Sequence, residues 1–296
     1  MDILTIKELT KRYGKTAALD NLNLTVKKGE VFGYLGPNGS GKTTTIRLIL
    51  GMIKPTAGQV TIFGKDAQKQ KEEVHKSIAY VPGEANLWPF LTGIETLHLL
   101  EKVHGKVDIT YRNELIKRFE LEPHKKVRTY SKGNKQKITL IAALASRAEL
   151  LILDEPTSGL DPLMEQVFRE SIKEAQNNGQ TVFLSSHILE EVEALCDRLA
   201  VLRKGKLVEL GTLAEMRHLS AVTVEATFGS TPPPVEKLKG VTNVRVLKNH
   251  LQCQVNGPID ELLNVLAAAH PLTLLSREPS LEELFLSLYG EKAGEQ

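Results

Sequence analysis

The sequence has 296 residues, with 38 lysines and arginines against 36 aspartates and glutamates, and a hydrophobic fraction of 41%. This length is typical of about two domains, and the net charge of +2 is too balanced for a dedicated nucleic-acid-binding protein. No apolar run reaches the roughly 18 residues of a membrane span, and the first residues lack the pattern of a secretory signal. The two cysteines, Cys196 and Cys253, occupy apolar positions of a helical and a strand pattern and form neither a disulfide framework nor a zinc cluster. The sequence therefore predicts a cytosolic, water-soluble chain.

Short β-type runs alternate with helical patterns from residue 1 to about 212, which predicts an α/β domain. Strands are expected over Met1–Leu9, Leu22–Val26 and Glu30–Leu35. The third strand leads into a glycine loop, which is followed by a helix from Lys42 to about Leu50.

The next part of this domain is mostly helical by its periodicity. Between residues 86 and 150, apolar residues recur at three- and four-residue spacings, as expected of amphipathic helices. The runs Leu150–Leu153 and Thr181–Leu184 are continuous and apolar, which is typical of buried parallel strands. A helix over 188–199 and a strand over 200–203 complete the pattern.

The composition changes near residue 212, which predicts a second domain. Three consecutive prolines exclude regular structure around 228–234, because proline fixes φ and donates no hydrogen bond. The flanking patterns give the order βαββαβ, which predicts a ferredoxin-like module with a further helix after it. The expected elements are a strand around 222–228, a helix at 235–239, strands at 241–247 and 251–255, a helix at 258–269, a strand near 272–275 and a last helix over Ser280–Tyr289.

The segment from Gly36 to Thr43 reads Gly-Pro-Asn-Gly-Ser-Gly-Lys-Thr and matches the phosphate-binding pattern G-x-x-x-x-G-K-[ST] completely. Its glycines let consecutive backbone N–H groups converge on phosphate oxygens, and the N-terminus of the following helix adds positive potential. Lys42 can reach the β- and γ-phosphates, and the Thr43 hydroxyl can bind Mg²⁺.

A second motif is the apolar run from Leu150 to Leu153, which ends in Asp154 and Glu155. Side chains alternate along a strand, so the two carboxylates point to different places. Downstream of a phosphate loop, Asp154 is expected to hold Mg²⁺, directly or through water, and Glu155 to orient or deprotonate an attacking water.

With both motifs, the chain resembles the ATP-binding subunit of ABC transporters of the drug- and antibiotic-export type, over residues 1 to about 218. The resemblance implies an α/β P-loop NTPase fold of the ABC type with a helical subdomain at about 86–150. Residues 219–296 are then a small α+β accessory domain, with either a structural, dimer-supporting role or a ligand-sensing one. Contacts to ATP are implied for the loop residues Gly36, Pro37, Asn38, Gly39, Ser40, Gly41, Lys42, Thr43 and Thr44.

The stretch Tyr130-Ser131-Lys132-Gly133-Asn134 resembles the family's Leu-Ser-Gly-Gly-Gln signature. Ser131 and Gly133 match, whereas Lys132 replaces the first glycine and Asn134 replaces the glutamine. By resemblance, Ser131 and Gly133 contact the γ-phosphate that is held by the opposite subunit of a dimer.

Three further positions carry the resemblance. Asp161 ends Ser158-Gly159-Leu160-Asp161, which looks like the D-loop that crosses the dimer interface in the family. His187, at the end of an apolar strand, resembles the switch histidine that contacts the γ-phosphate. Tyr13 resembles the aromatic residue that stacks on adenine, and an ordinary surface or core tyrosine is the alternative.

One segment departs from the family pattern, because Pro82-Gly83-Glu84 stands where Pro-Gln-Glu is usual. The missing glutamine contacts the metal and links to the membrane partner in the family. Either water or the carboxylate of Glu84 would take its place at Mg²⁺. Slightly downstream, Trp88 and Phe90 predict either a docking surface for a permease helix or the core of the helical subdomain.

The resemblance implies an ATPase subunit that binds ATP and Mg²⁺ and powers an ABC transporter, with Lys42, Glu155 and His187 as the catalytic residues. Two copies are expected to pair head to tail, and a separate transmembrane permease would hold them at the cytoplasmic face of the membrane. No nucleic-acid partner is expected. One alternative, a non-transport member acting on ribosomes or DNA, is disfavoured because only about 90 residues separate Lys42 from Ser131 and the motifs occur once. The other alternative, an importer subunit, differs only in its partners.

Overall fold

The computed structural model describes residues 1–105, 107–218 and 222–277. The chain divides into two compact units between Gly211 and Thr212. This division lies before the boundary expected after residue 218, because the short helix that follows Thr212 belongs with the second unit. Among the described residues, no helix has the length and apolar character that crossing a membrane requires.

The strands up to residue 212 belong to two sheets. They are β1 (Asp2–Tyr13), β2 (Thr16–Lys27), β3 (Val31–Leu35), β4 (Ala57–Ile62), β5 (Lys65–Asp66), β6 (Ile78–Val81), β7 (Leu150–Asp154), β8 (Thr181–Ser186), β9 (Arg198–Arg203) and β10 (Lys206–Thr212). The helices of the same part of the chain are α1 (Lys42–Ile49), α2 (Lys71–His75), α3 (Gly93–His104), α4 (Ile109–Arg118), α5 (Lys132–Ala145), α6 (Pro162–Asn177) and α7 (Leu189–Leu195).

The smaller sheet is antiparallel, with the order β2-β1-β4-β5. Its first two strands form a hairpin in which Leu4 faces Val26 and Tyr13 faces Thr16. Both strands extend beyond the predicted apolar runs, because backbone pairing continues through polar residues up to the turn, where Gly14 has a φ of 58°.

The larger sheet has the order β10-β9-β3-β8-β7-β6, and the neighbours from β9 to β6 are parallel. Every residue of β3, β7 and β8 is buried, as the continuous apolar runs predict. Because these three parallel strands end at the same edge, the glycine loop, Asp154–Glu155 and His187 follow strand ends that lie side by side.

The helical part over 86–150 contains α3, α4 and α5, each begun by a side-chain cap. Thr92 and Glu95 form a reciprocal capping box at α3, Asp108 caps α4, and Ser131 caps α5. Such caps satisfy backbone N–H groups that have no partner within the helix. The predicted helical region is therefore present, in separate helices.

The helix predicted over 188–199 is too long, because α7 ends at Leu195 and β9 begins at Arg198. The cause is pairing with β3. The backbone N–H of Asp197 donates to the Val31 carbonyl at 2.9 Å, and the Val31 N–H donates to the Asp197 carboxylate at 2.8 Å.

The second unit contains a four-stranded antiparallel sheet with the order β12-β13-β11-β14. Its elements are α8 (Leu213–His218), β11 (Val222–Thr227), β12 (Val241–Leu247), β13 (His250–Val255), α9 (Asp260–Ala268) and β14 (Thr273–Arg277). This strand order is the one expected of a ferredoxin-like module. The helix predicted at 235–239 is wrong, because these residues form turns between the prolines and Gly240. The helix predicted over 280–289 lies outside the described residues.

Candidate active site

The phosphate loop (Gly36–Thr43) connects β3 to α1, and two of its glycines are required by close approaches. A Cβ atom at Gly36 would lie 2.6 Å from the Leu202 carbonyl oxygen and from Ser40 Oγ. Gly41 caps α1 with a φ of 114°, and its Cβ would lie 2.8 Å from the Ala18 carbonyl oxygen. Side chains at these positions would therefore push the loop out of its curled conformation.

The Lys42 ammonium lies inside this loop, and the side chain is only 5% exposed. Nζ donates to the carbonyl oxygens of Gly36 at 2.6 Å and Pro37 at 3.3 Å, and it lies 3.3 Å from Oε1 of Glu155. The buried cation is thus held by oxygen atoms that a phosphate group can replace.

Asp154 ends β7 and is 4% exposed. Its Oδ1 accepts a 2.6 Å hydrogen bond from Ser185 Oγ on the neighbouring strand β8. Burial, together with the negative charge of Asp154, raises the pKa of Tyr80 on β6 to about 12. Asp154 is therefore a fixed, buried carboxylate at the edge of the sheet.

Glu155 takes a positive φ of 47°, which is uncommon for a residue with a side chain. Its N–H still pairs with the Ser185 carbonyl at 3.0 Å. The turn places its carboxylate against both Lys42 and His187, whose Nδ1 lies 3.3 Å from Oε1 of Glu155. Residues that follow three different strands thus converge on one carboxylate oxygen.

A cleft of about 450 Å³ opens in front of the phosphate loop. Its lining is mostly small or polar: Thr16, Ala17, Ala18, Asn38, Gly39, Gly41, Lys42, Thr43, Thr44, Glu155, Lys204 and Gly205. Tyr13 is half exposed, lies under the Lys11 ammonium at 4.9 Å and pairs with Thr16, but it is not among these lining residues. Stacking of Tyr13 on adenine therefore stays a prediction.

The hydroxyl of Ser40 is a further atom of the loop that could bind a nucleotide phosphate. Ser40 Oγ is buried and has no hydrogen-bond partner within the described part of the chain, and such an atom normally has one. Thr43 lines the cleft and Asp154 ends β7, which ends at the same edge of the sheet, so oxygen donors typical of Mg²⁺ are present.

The signature segment (Tyr130–Asn134) packs against the D-loop (Ser158–Asp161). Lys132 Nζ donates to Ser158 Oγ at 2.8 Å, and a Cβ at Gly133 would lie 2.2 Å from the Gly159 carbonyl oxygen. Ser131 Oγ accepts from the Asn134 N–H at 3.2 Å and so caps α5.

Of the described residues that line the cleft, none belongs to the signature segment or the D-loop. The Asp161 carboxylate accepts from the Met164 N–H at 3.0 Å and caps α6. The single chain therefore brings Lys42, Asp154, Glu155 and His187 together, and Ser131, Gly133 and Asp161 lie elsewhere.

Gly83 stands where the family pattern has glutamine. A Cβ atom at this position would lie 3.2 Å from the Asp154 carbonyl oxygen. Gly83 is not among the glycines with positive φ. The buried side chain of Gln136, which the motifs do not single out, donates to the Pro82 carbonyl at 3.0 Å. It ties this loop to α5.

Trp88 and Phe90 are 49% and 75% exposed. Of the two interpretations of this segment, the exposure favours a docking surface over a core position.

Known proteins of one family are similar to this chain in sequence. The model of the "ABC transporter" family matches residues 19–158. The linearmycin resistance ATP-binding protein of Bacillus subtilis is 33% identical over 97% of this chain and 98% of its own length. The Nod factor export ATP-binding protein I of Rhizobium etli is 34% identical over 99% of this chain and 95% of its own length.

A solved structure is similar to this chain in fold and sequence. It is described as a dimeric post-hydrolysis state of an ATP-binding cassette bound to ADP and Pi. It superposes with a TM-score of 0.62 at 28% identity, covering 71% of this chain and 98% of that one.

A buried carboxyl group that the motifs do not indicate lies on α7, the helix that follows His187. Glu191 on α7 is 5% exposed, and its Oε2 lies 2.5 Å from Ser186 Oγ. Burial raises the pKa of Glu191 to about 7, against the opposing effect of the hydroxyls of Ser186 and Thr157. The group therefore titrates near neutral pH.

We expect Glu191→Gln to change the pH dependence of stability. Because the pKa rises from 4.5 in the unfolded chain to about 7 on folding, the unfolded state ionises first, and stability is lost as pH rises through this window. Relative to wild type, the variant should gain about 2–3 kcal/mol of unfolding free energy between about pH 5 and pH 8.

Urea denaturation at several pH values measures this gain. The exposed neighbour provides the control, since Glu190→Gln should follow the wild-type curve throughout. A constant difference between Glu191→Gln and wild type would contradict the raised pKa.

Proposed function

Because the chain belongs to the ABC transporter family, as an ATP-binding subunit that hydrolyses ATP, we propose that it powers an exporter whose permease is a separate membrane protein. The observation that supports this proposal most is the convergence of Lys42, Glu155 and His187 at the phosphate loop. The names of the relatives add to it, since one concerns linearmycin resistance and another Nod factor export. The exported compound would then be a natural product of that general kind.

In this proposal Lys42 switches partners when ATP enters. Its ammonium is held by two carbonyl oxygens and by Glu155, and the β- and γ-phosphates offer it a greater negative charge. Movement of the ammonium toward the phosphates leaves the Glu155 carboxylate free to orient or deprotonate the attacking water.

His187 shares the Glu155 oxygen and is half exposed at the end of β8, so it can turn toward the γ-phosphate. Thr43 and Asp154 would hold Mg²⁺, which supplies charge neutralisation for the departing phosphate. Water, rather than Glu84, would take the place of the missing glutamine at the metal, because glycine offers no side-chain oxygen and Mg²⁺ readily keeps several waters.

A second copy of the chain would supply the signature segment, which does not line the cleft of its own chain. Ser131 and Gly133 present a hydroxyl and N–H groups at the N-terminus of α5, which is an anion-binding arrangement, yet they lie outside the cleft of their own chain. A head-to-tail pair would place this segment against the γ-phosphate held by the partner. ATP then favours the closed pair, and hydrolysis opens it.

The exposed Trp88 and Phe90 would contact the permease and carry this motion to it. The chain would accordingly work at the cytoplasmic face of the membrane. We infer no contact with nucleic acid, since the net charge of +2 gives none of the positive excess that such binding requires.

Glu155→Gln is expected to keep ATP binding, because the amide matches the carboxylate in size. Hydrolysis should fall by about 10²-fold or more, since the general base is lost. The ATP-bound dimer should accumulate, as size-exclusion chromatography with ATP and Mg²⁺ would detect.

The matched control is Glu149→Gln, which makes the same change at an exposed residue just before the other end of β7. Its ATPase rate should equal that of wild type. Near-normal hydrolysis by Glu155→Gln would remove Glu155 from the mechanism.

Lys42→Ala and Ser131→Arg should fail at different steps. The first removes the cation that faces the phosphates, so ATP binding itself should weaken. The second should leave ATP binding to the monomer intact and block dimerisation, because a long charged side chain would occupy the partner's phosphate site.

Nucleotide titration and ATP-dependent dimerisation, measured on both variants, separate the two defects. Asn178→Arg adds the same side chain at the exposed end of α6, before β8 begins, and should behave as wild type. If Ser131→Arg formed the dimer normally, the role of the signature segment would be wrong.

A further inference from the structure

The buried carboxyl group of Glu191 is hydrogen-bonded to the segment that carries the switch histidine. Its Oε2 lies 2.5 Å from the hydroxyl of Ser186, which immediately precedes His187. Glu191 therefore contacts the end of β8, from which His187 reaches Glu155.

Ser186 in turn is hydrogen-bonded to Ile188, the residue that follows the histidine. Its Oγ accepts from the Ile188 N–H at 3.0 Å and lies 3.4 Å from the Ile188 carbonyl oxygen. Its backbone carbonyl accepts from the N–H of Gly36 in the phosphate loop at 3.4 Å. Ser186 thus links the backbone around His187 to the phosphate loop.

The Ser186 hydroxyl has one proton and two acceptors within reach, Oε2 of Glu191 and the Ile188 carbonyl oxygen. When Glu191 is ionised, the proton goes to the carboxylate, because a bond to a charged oxygen is the stronger one. When Glu191 is protonated, the acid can donate to Ser186 Oγ, and the hydroxyl proton turns to Ile188. These are two discrete arrangements of one segment.

No charged side chain within the described residues neutralises Glu191 directly. Oε1 is buried and has no hydrogen-bond partner in this part of the chain. On α6, Glu165 raises and Arg169 lowers the pKa of Glu191, and these two also pair with each other at 3.6 Å.

The other elements that pack near Glu191 bring little charge to it. β3 and β8 contain no Asp, Glu, Lys, Arg or His, and the buried Tyr34 hydroxyl of β3 is engaged by Thr45. Glu190 is exposed on the same helix, and the neutral thiol of Cys196 is buried near its end.

We propose that Glu191 is a positioning residue for ATP hydrolysis, which fixes through Ser186 the segment that carries His187, and that its ionised form gives the competent arrangement. This inference rests on the proposed function of the same site. The ionised form is the competent one because a carboxylate accepts a charge-assisted hydrogen bond from Ser186, which is stronger than a bond between neutral groups. Proton uptake by Glu191 turns the Ser186 hydroxyl proton to Ile188 and loosens the segment that carries His187.

The test is the ratio of the wild-type kcat to the kcat of Glu191→Gln, measured on the full chain with ATP and Mg²⁺ from about pH 6 to pH 8. If the ionised form is about tenfold faster, a barrier difference of about 1.4 kcal/mol, a pKa of about 7 makes the ratio about two at pH 6 and about nine at pH 8. KM for ATP should change less than about twofold, because the phosphate loop is untouched.

Two further variants complete the design. Glu190→Gln changes the exposed neighbour and should give a ratio of one at every pH. Ser186→Ala keeps the carboxyl group and removes only the hydroxyl, so its ratio should rise with pH as that of Glu191→Gln does. If Glu191→Gln fails to unfold cooperatively, Ser186→Ala decides alone.

A ratio that stays constant across the pH range would overturn the proposal, because a purely structural loss does not follow the ionisation of one group. That result is distinct from failure of the proposed function. Normal hydrolysis by Glu155→Gln would contradict the proposed active site itself. A kcat ratio that does not change with pH, together with an inactive Glu155→Gln variant, would contradict only the role of Glu191.

Discussion

The site depends on one electrostatic constraint, which is that a buried ammonium must always have oxygen partners. Lys42 is 5% exposed and is held by the carbonyls of its own loop and by Glu155. Since desolvating an unpaired charge is costly, the ammonium leaves Glu155 only when phosphate oxygens replace it. In the proposed mechanism, the same ion pair keeps the Glu155 carboxylate occupied without nucleotide and releases it when nucleotide is bound.

The parallel sheet makes this pairing possible, and close backbone packing decides what the single chain cannot do. Three neighbouring strands deliver Lys42, Glu155 and His187 to one edge. The close approach of Gly133 to the Gly159 carbonyl packs the signature segment against the D-loop, and neither segment lines the cleft of the described chain. This packing is the reason why we propose that a second copy completes the site.

The sequence predicted the parts of the site whose residues are adjacent in the chain. The phosphate loop and Asp154–Glu155 follow apolar strands, so their placement at a sheet edge could be inferred. Glu191 could not be found this way, because its proposed role comes from its contact with Ser186, which no spacing reveals. The end of α7 was predicted too late for the same reason. It is set by the hydrogen bonds between Asp197 and Val31, which are far apart in the sequence.

The central claim is that each ATP site is shared between two copies, and mixing two inactive variants tests it most directly. In a head-to-tail pair of Lys42→Ala with Ser131→Arg, one site contains both defects and the other contains neither. Random pairing makes half of the dimers mixed, each with one intact site of two, so the ATPase rate should recover to about a quarter of wild type if sites act independently. A mixture no faster than its two components measured separately would contradict the shared site.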